Sequence, residues 1–520
     1  MATIAVALPG RAARVRLRAR SRRRHFPLEG TALWTLSFAF YIAVAAYLVF
    51  QLHYMIDDAY ARIDNAFDVL FTSDPHLAGI GFFWPPLPSF VEIPIIAFKG
   101  LWPPLVTQGF AGSIMAAGFS AGTVVLINSG LKWAGVVRGM RWVLCGVWLL
   151  NPMTIIYAAQ GMSEAEFVFF FVAAIIVFLR WTESGRVSLL PLMGILVGLD
   201  VLCRNEAAAV AVAMFIGVIL ISARRRAGWR EIETTALLFG LPALLVVMLW
   251  VGTAAIIFHD PLYVLHANGI ATAAPAVAAP VAQAAPSASS AQDIFGAVIL
   301  PNLRVGMVYV LVHSLLLYPA VIALLAMLGT RFLVKKDRLP SLILLAFGLC
   351  IPLIDILRLR TGLGPYIRYQ IAVIPFTFLV AMYVLRSVRG RRALLSSWLG
   401  LTLAVILGMS NVLTAVTLSD MTIAQQEAPV IAALATGQTV TQATGYKDKI
   451  DIGAAITPKI LALDTDGGRI LCDSSTCFPI VLNAPNPKQF VVTSDRIFQA
   501  ALAQPQVYGV EYFLLPAQQG

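Results

Sequence analysis

The chain has 520 residues, of which 59% are hydrophobic and only 12% are charged, and its mean hydropathy is +0.80. A soluble protein carries about twice that share of charged residues. The composition therefore excludes an ordinary cytosolic enzyme, a disordered protein and a nucleic-acid-binding protein, despite a net charge of +11 and a pI near 9.6. It predicts a polytopic membrane protein.

The N-terminal charge predicts how the chain enters the membrane. Eight arginines between Arg11 and Arg24 precede an uncharged run from Thr31 to Phe50. A cleavable signal peptide has a shorter apolar stretch and a small-residue cleavage site, so this run is predicted to be an uncleaved first span. Because Lys and Arg mark loops that stay on the cytoplasmic side, the N-terminus is predicted to lie inside.

The hydropathy pattern predicts an all-α module of about eleven transmembrane helices. Their ranges are 31–51, 106–130, 141–158, 166–180, 188–203, 206–222, 234–258, 304–330, 340–356, 369–385 and 394–414. With the N-terminus inside, the inside loops carry about two thirds of the Lys and Arg residues, while most Asp and Glu residues fall outside. The two charge distributions agree on one orientation, which places the C-terminus outside.

Long outer segments define the predicted domains. Residues 1–30 form a basic cytoplasmic N-terminus, and residues 31–414 form the transmembrane module. That module contains a first outer loop, 52–105, and an Ala/Pro-rich outer loop, 259–302, which is predicted to be mobile. Residues 415–520 form an outer domain, and its apolar runs and one helical stretch predict a small α/β fold. The runs are 469–472, 490–493 and 512–515, and the helix lies near 495–503.

The outer domain contains two of the five cysteines, Cys472 and Cys477. A disulfide between them is expected in an oxidising compartment, and two separate thiols are the alternative. No Cys/His zinc spacing, phosphate-binding P-loop or Ser/His/Asp elbow is recognisable along the chain.

An acidic pair, Asp57-Asp58, follows the first span directly. Acidic residues are common at solvated helix ends, which is one interpretation. In the other, a carboxylate at the edge of a low-dielectric region acts as a general base. Adjacent helical residues point about 100° apart, so the two acids are not expected to act on the same atom.

Two other outer sites combine arginine with polar or aromatic residues. Arg204 and Glu206 lie where two helices meet, and charge at such depth is either an ion pair or part of a functional cavity. Arg368-Tyr369 belongs to an outer segment with three arginines, against the charge rule, which predicts an anionic partner such as a lipid phosphate. That phosphate belongs either to a specific substrate or to ordinary phospholipid headgroups. Trp84, in Trp84-Pro85-Pro86-Leu87, suits either a sugar ring or an interfacial anchor.

Taken together, these motifs resemble the GT-C superfamily of membrane glycosyltransferases, which use a polyprenyl-phosphate sugar donor. Relatives include protein O-mannosyltransferases, the lipid A aminoarabinose transferase and mycobacterial arabinofuranosyl- and mannosyltransferases. The matching motifs, in chain order, are as follows: Asp57-Asp58 for an acidic DD, DE or DxD motif, Trp84-Pro85-Pro86-Leu87 for HPPL or YPPL, Gly161-Met162-Ser163-Glu164 opening span 4, Leu202-Cys203-Arg204-Asn205-Glu206 for LTRYE, and Arg368-Tyr369 for RY. Trp84 departs from the usual His or Tyr, and nothing beyond Leu413 matches.

The resemblance implies an inverting sugar transfer on the outer face of a membrane. A polyprenyl phosphate leaves without protonation, so one base is enough. The resemblance implies Asp57 as that base with Asp58 second, and Arg204 and Arg368 as cations at the phosphate. A lipid, polysaccharide or protein could be the acceptor, and a divalent metal is left open. His266, before the Ala/Pro-rich tract, is a further candidate for the substrate site.

Two other functions compete with the glycosyltransferase. A transporter or flippase for lipid-linked sugars would use intramembrane charges such as Asp200, Arg204 and Asp355. Against it, the two halves show no repeat of hydropathy, and the charges gather on one side. A membrane scaffold or receptor that uses the outer tail would not need Asp57. The Arg/Ala-rich composition is typical of a bacterium, so the predicted location is the inner membrane with the site facing the periplasm.

The predicted orientation can be tested with two cysteine substitutions. Ser289→Cys should react with an impermeant thiol reagent in intact cells, because residues 259–302 are predicted to lie outside. Ser184→Cys should not react, because it lies in a loop predicted to be inside. Equal labelling of both variants would remove the basis for placing Asp57 on the outer side.

Overall fold

The structure, a computed structural model, describes residues 28–82, 84–261, 263, 300–334, 339–358, 366–388, 393–463 and 468–515. The basic N-terminal block, His266 and nearly all of the Ala/Pro-rich loop lie outside these residues. The first half contains α1 Leu28–Phe50, α2 Asp57–Leu70, α3 Leu87–Ile96, α4 Pro104–Thr107, α5 Phe110–Ala134, α6 Arg138–Leu149, α7 Pro152–Ala159, α8 Glu164–Ser184, α9 Leu189–Val201, α10 Ala207–Arg224 and α11 Trp229–Phe258.

The second half continues the bundle and then forms the C-terminal tail. Its membrane helices are α12 Leu300–Leu317, α13 Ala320–Val334, α14 Leu339–Arg358, α15 Val373–Val388 and α16 Ala393–Leu418. A short 3-10 helix, Ile367–Gln370, leads into α15. The tail contains α17 Ala428–Thr436, α18 Val440–Thr444, α19 Lys449–Leu461, β1 Arg469–Cys472, α20 Ser474–Asn483, β2 Phe490–Val492, α21 Phe498–Ala503 and β3 Val510–Leu514.

Every one of the eleven predicted membrane segments coincides with a helix or a helix pair. Within the described ranges, seven helical segments are long and apolar enough to cross a membrane, and nine cross if each of two bent pairs counts as one span. The bends are 66° between α6 and α7 and 105° between α12 and α13. The thirteen-residue α9 is about 20 Å long, which is shorter than the roughly 30 Å hydrocarbon core.

Proline causes both bends. Pro152 occupies the first turn of α7, where a missing N–H costs nothing, and Asn151 caps that helix by accepting a hydrogen bond from the backbone N–H of Thr154 at 3.0 Å. Pro319 separates α12 from α13 in the same way. Because proline disfavours helical geometry in the residue before it, the chain changes direction at both places.

The centre of the bundle is formed by α5, α8 and the segment Ile367–Ser387. Buried residues make up 78% of the most apolar part of α8 and 89% of the most apolar part of Ile367–Ser387. In α11 the buried share is only 11%, so this helix lies at the periphery and presents leucines to the lipid. The candidate site is therefore supported by the most buried helices among the described residues.

Charged residues form two separate groups, one at each end of the bundle. Arg141 contacts Glu29 at 2.7 Å, and Arg386 contacts Glu183 at 2.9 Å, which joins segments predicted to lie inside. Contacts among segments predicted to lie outside form the second group, described below. The pairing agrees with the predicted assignment of these loops to one side of the membrane. Which side each group faces stays a prediction.

The tail confirms the predicted α/β fold. Its three strands form a parallel sheet in the order β2-β1-β3, with α20 and α21 in the connections. Parallel strands need such crossover helices. Cys472 ends β1, Cys477 lies in α20, and the structure joins them in a disulfide. The fold is thus an all-α polytopic membrane module with a small C-terminal α/β domain.

Candidate active site

The two adjacent acids at the start of α2 point to different partners. The Oδ2 atom of Asp58 accepts a hydrogen bond from Nη2 of Arg368 at 2.6 Å. The Oδ1 atom of Asp57 accepts one from the hydroxyl of Tyr446 at 3.3 Å. The divergence follows from the angle of about 100° between neighbouring helical side chains. Asp58 is thus engaged in an ion pair, whereas Asp57 accepts a hydrogen bond from a tyrosine hydroxyl.

The backbone before Asp57 is held on both sides. The amide side chain of Gln160 accepts a hydrogen bond from the backbone N–H of Ile56 at 2.9 Å and donates one to the carbonyl of Tyr54 at 3.2 Å. The backbone N–H of Met55 donates to Asp448 at 3.0 Å. The position of the acidic pair is therefore fixed relative to α7 and to the tail.

Arg368 lies in an aromatic pocket at the entrance to α15. Its guanidinium carbon is 5.0 Å from the ring centre of Tyr366 and 5.4 Å from that of Tyr369. Its Nε atom is buried, has no hydrogen-bond partner among the described residues and lies 3.9 Å from Glu164. Stacking on the rings orients the guanidinium without using its N–H donors, so donors stay available for an anion.

Arg204 has two carboxylate partners. Its Nη2 donates to Glu206 at 2.7 Å, and its Nη1 contacts Glu164. Arg204 and Glu206 therefore form the ion pair that was one of the two interpretations of these residues. Because both ends of this guanidinium are engaged, it is less available to a phosphate than Arg368. Its guanidinium carbon also lies 5.6 Å from the ring centre of Tyr369.

Glu164 connects the two arginines and belongs to the Gly161–Glu164 turn. Gly161 has φ +73°, and a Cβ there would lie 2.7 Å from the backbone of Gly112. Only glycine fits such a conformation and such a close approach. The tight crossing of this turn over α5 is what brings Glu164 to the head of α8, facing both guanidinium groups.

Trp84 contacts Arg62, a residue that the sequence interpretation did not single out. The guanidinium carbon of Arg62 is 4.9 Å from the Trp84 ring centre, and its N–H groups donate to the carbonyl of Pro85 at 3.3 Å and to Ser163 at 3.4 Å. Arg62 follows Asp58 by one helical turn, a spacing that could have indicated it. The motif that ends at Leu87 also contacts the motif that begins at Leu202, because the backbone N–H of Leu87 donates to the carbonyl of Leu202 at 3.0 Å.

Burial raises the pKa of Asp57, and the nearby charge of Asp58 raises it further. The cation of Lys449 and the hydrogen bond from Tyr446 act in the opposite direction. Burial also raises the pKa of Asp448 to about 7. A carboxyl whose pKa is raised toward neutral accepts a proton more effectively than an ordinary surface carboxylate, while it remains largely ionised at higher pH.

The structure joins most of the predicted residues at one place. Asp57, Asp58, Trp84, Arg204, Glu206, Arg368 and Tyr369 belong to a continuous set of contacts, whereas Cys472 and Cys477 lie in the tail domain. In the described parts of the chain, no group of three or more His, Cys, Asp or Glu side chains could hold a metal ion. His266 lies outside the described residues. Tyr446 and Lys449 come from the tail, where no motif identified them.

The chain is similar to several solved structures, including two of one protein. A crystal structure of ArnT from Cupriavidus metallidurans bound to undecaprenyl phosphate aligns with a TM-score of 0.49 and 14% identity, and covers 92% of this chain and 89% of the other. The apo structure of the same protein aligns with a TM-score of 0.47 and 12% identity, over 93% and 90% of the two chains. No family profile and no curated protein sequence matches the chain. With TM-scores below 0.5, neither structure assigns a function to this chain.

Proposed function

We propose that this protein is an integral membrane glycosyltransferase of the GT-C type. It transfers a sugar from a polyprenyl-phosphate donor to a hydroxyl group of an acceptor on the outer side of a bacterial inner membrane. The transmembrane module, residues 31–414, forms the site together with its first outer loop, residues 52–105. The observation that supports this most is the Asp58–Arg368 contact at 2.6 Å, which joins two motifs 310 residues apart beside Asp57.

The proposed reaction needs one base and one cationic site. The acceptor hydroxyl attacks the anomeric carbon, its proton passes to Asp57, and the bond from that carbon to the phosphate oxygen breaks. Attack from the face opposite the phosphate inverts the configuration. The departing polyprenyl phosphate carries the negative charge that develops, so a fixed cation at that oxygen lowers the barrier.

Arg368 is suited to the phosphate because its carboxylate partner is accessible. The Asp58 side chain is 36% exposed, and that of Arg368 is 7% exposed, so a phosphate can replace Asp58 at the outer edge of the guanidinium. Glu164 and Tyr369 keep the guanidinium in place during this exchange. Arg204, held by Glu164 and Glu206, orients Glu164 from behind.

The base assignment predicts a large kinetic effect with little change in donor binding. Asp57→Asn keeps the shape of the side chain and removes the proton acceptor, so turnover should fall by roughly two to four orders of magnitude. Donor affinity should be unchanged, since the carboxylate acts on the acceptor. Transfer and donor binding are measured on purified, folded protein.

The neighbouring variant Asp58→Asn is the matched comparison for Asp57→Asn. It removes an equal charge one residue away but leaves the base, so its turnover should stay well above that of Asp57→Asn. Transfer near the wild-type rate in folded Asp57→Asn would assign the base to Asp58 or refute the glycosyltransferase proposal.

The phosphate assignment predicts weaker donor binding in Arg368→Ala. A charge-assisted hydrogen bond contributes about 1.5 to 3 kcal/mol, so affinity for the donor lipid should fall roughly ten- to a hundredfold. Arg368→Lys should restore only part of it, because a point charge lacks the planar geometry of guanidinium. Binding of the polyprenyl-phosphate sugar to purified variants gives the affinities.

Arg386→Ala is the control for Arg368→Ala. Arg386 lies in the same span, and its ion pair with Glu183 is at the opposite end of the bundle. The Arg386→Ala variant should therefore retain full affinity for the donor lipid. Equal affinities in Arg368→Ala and wild type would make Arg368 a structural residue only.

A further inference from the structure

The tail contacts the backbone that carries the acidic pair. The backbone N–H of Val440 donates to the carbonyl of Leu52 at 3.0 Å, and Nδ1 of His53 lies 2.9 Å from Asp451. Together with the Met55–Asp448 and Asp57–Tyr446 contacts, four of the six residues from 52 to 57 are bonded to the segment 440–451. The segment 440–451 therefore lies along the strip of backbone that leads into the acidic pair.

The segment is built to hold Tyr446 in one place. Helix α18 begins with a capping box formed by Thr439 and Gln442 and ends at Gly445, whose φ of +74° turns the chain toward Asp57. Asp448 then caps α19 through the backbone N–H of Ile450 at 2.9 Å. Tyr446 therefore lies in a short connection between two capped helix ends.

Asp448 joins the short segment between α18 and α19 to the first outer loop. One of its carboxylate oxygens accepts from Ile450, and the other accepts from the backbone N–H of Met55 at 3.0 Å. The same side chain thus fixes the start of α19 and the residue two before Asp57. Thr441 adds a hydrogen bond of 3.1 Å to Asp451, which in turn contacts His53.

The hydrogen bond from Tyr446 has a direct chemical consequence for Asp57. It engages Oδ1, which leaves Oδ2 to receive a proton, and it favours one orientation of the carboxylate. A base held in one orientation reacts faster than a mobile one, because less entropy is lost on reaching the transition state. Tyr446 is 43% exposed, so the acceptor approaches Asp57 beside its ring.

We propose that Tyr446 is a positioning residue for Asp57 and that the segment 440–451 makes the C-terminal domain part of the active site. This proposal rests on the proposed function, since it takes Asp57 as the base. It assigns a role to the tail, which the motif comparison left without one.

The charges around Asp57 determine the expected pH dependence. The groups that influence or contact it are Asp58 on its own helix, Tyr54 before it, and Tyr446, Asp448 and Lys449 from the tail. Burial and Asp58 raise the pKa of Asp57, and Lys449 and Tyr446 lower it. Because the base acts when ionised, activity is lost as the pH falls through this pKa. Removal of the tyrosine hydroxyl raises the pKa and therefore moves the acidic limb of the rate profile to higher pH.

The test is the pH profile of kcat and kcat/KM for Tyr446→Phe in the full-length protein. The acidic limb should move up by about half a pH unit, because the lost hydrogen bond is long and partly exposed. The plateau of kcat should also fall by roughly three- to tenfold, as expected for a base that is less well oriented. Lys449→Met should shift the limb in the same direction, and Lys449→Arg should restore it.

Tyr508→Phe is the matched control, because Tyr508 packs against the small apolar cluster of the tail sheet. Its profile should superimpose on the wild type. If Asp57→Asn is inactive and the Tyr446→Phe profile also superimposes on the wild type, the positioning role is refuted while the base assignment stands. If Asp57→Asn is active, both the positioning role of Tyr446 and the assignment of the base to Asp57 fail. A melting temperature for each variant identifies loss of folding. If Tyr446→Phe does not fold, the comparison of Lys449→Met with Lys449→Arg decides whether the segment 440–451 acts on Asp57.

Discussion

The organisation of the bundle end that contains the candidate site depends on buried charge that must be paired. Arg204, Glu164, Arg368 and Asp58 form a chain of contacts that connects the end of α9, the head of α8, the entrance to α15 and the start of α2. Removing one member of a buried ion pair costs about 3–5 kcal/mol, because the other charge stays in a low-dielectric environment. The four segments are therefore held at fixed positions by the same side chains that form the candidate site.

This constraint is compatible with the proposed binding of a phosphate, which needs no permanent excess of positive charge. Arg204 has two glutamate partners, and Arg368 has an accessible aspartate partner at its outer edge. In the proposed mechanism, a phosphate takes the place of Asp58, so the guanidinium exchanges one carboxylate for another oxyanion. Because Asp57 is held by the tail, its position does not depend on that exchange.

The sequence predicts the membrane helices well, because a run of about twenty apolar residues has few alternatives in a bilayer. It does not predict the bends at Pro152 and Pro319, although a proline inside an apolar run is a signal for such a break. The strands and one helix of the tail follow from their β-type and helical patterns. The parallel order of the sheet does not follow, since it depends on which strands meet in three dimensions.

The candidate site is predictable only in part, for a related reason. Motifs near the outer ends of spans had to lie on one side, so their proximity could be expected from topology. The choice of partners could not, because Asp58 and Arg368 are separated by 310 residues. Arg62 could have been recognised from its helical spacing to Asp58. Tyr446 could not, because one tyrosine in an unmatched tail carries no pattern that points to Asp57.

The proposed function requires that this protein consumes a polyprenyl-phosphate sugar. The most direct test compares the lipid-linked sugars of cells with and without the gene. Mass spectrometry of lipid extracts should show one polyprenyl-phosphate sugar accumulating when the gene is deleted, because its transfer is blocked. Complementation with the wild-type gene should restore the normal level, and complementation with Asp57→Asn should not. An unchanged lipid-linked sugar profile after deletion would contradict the account.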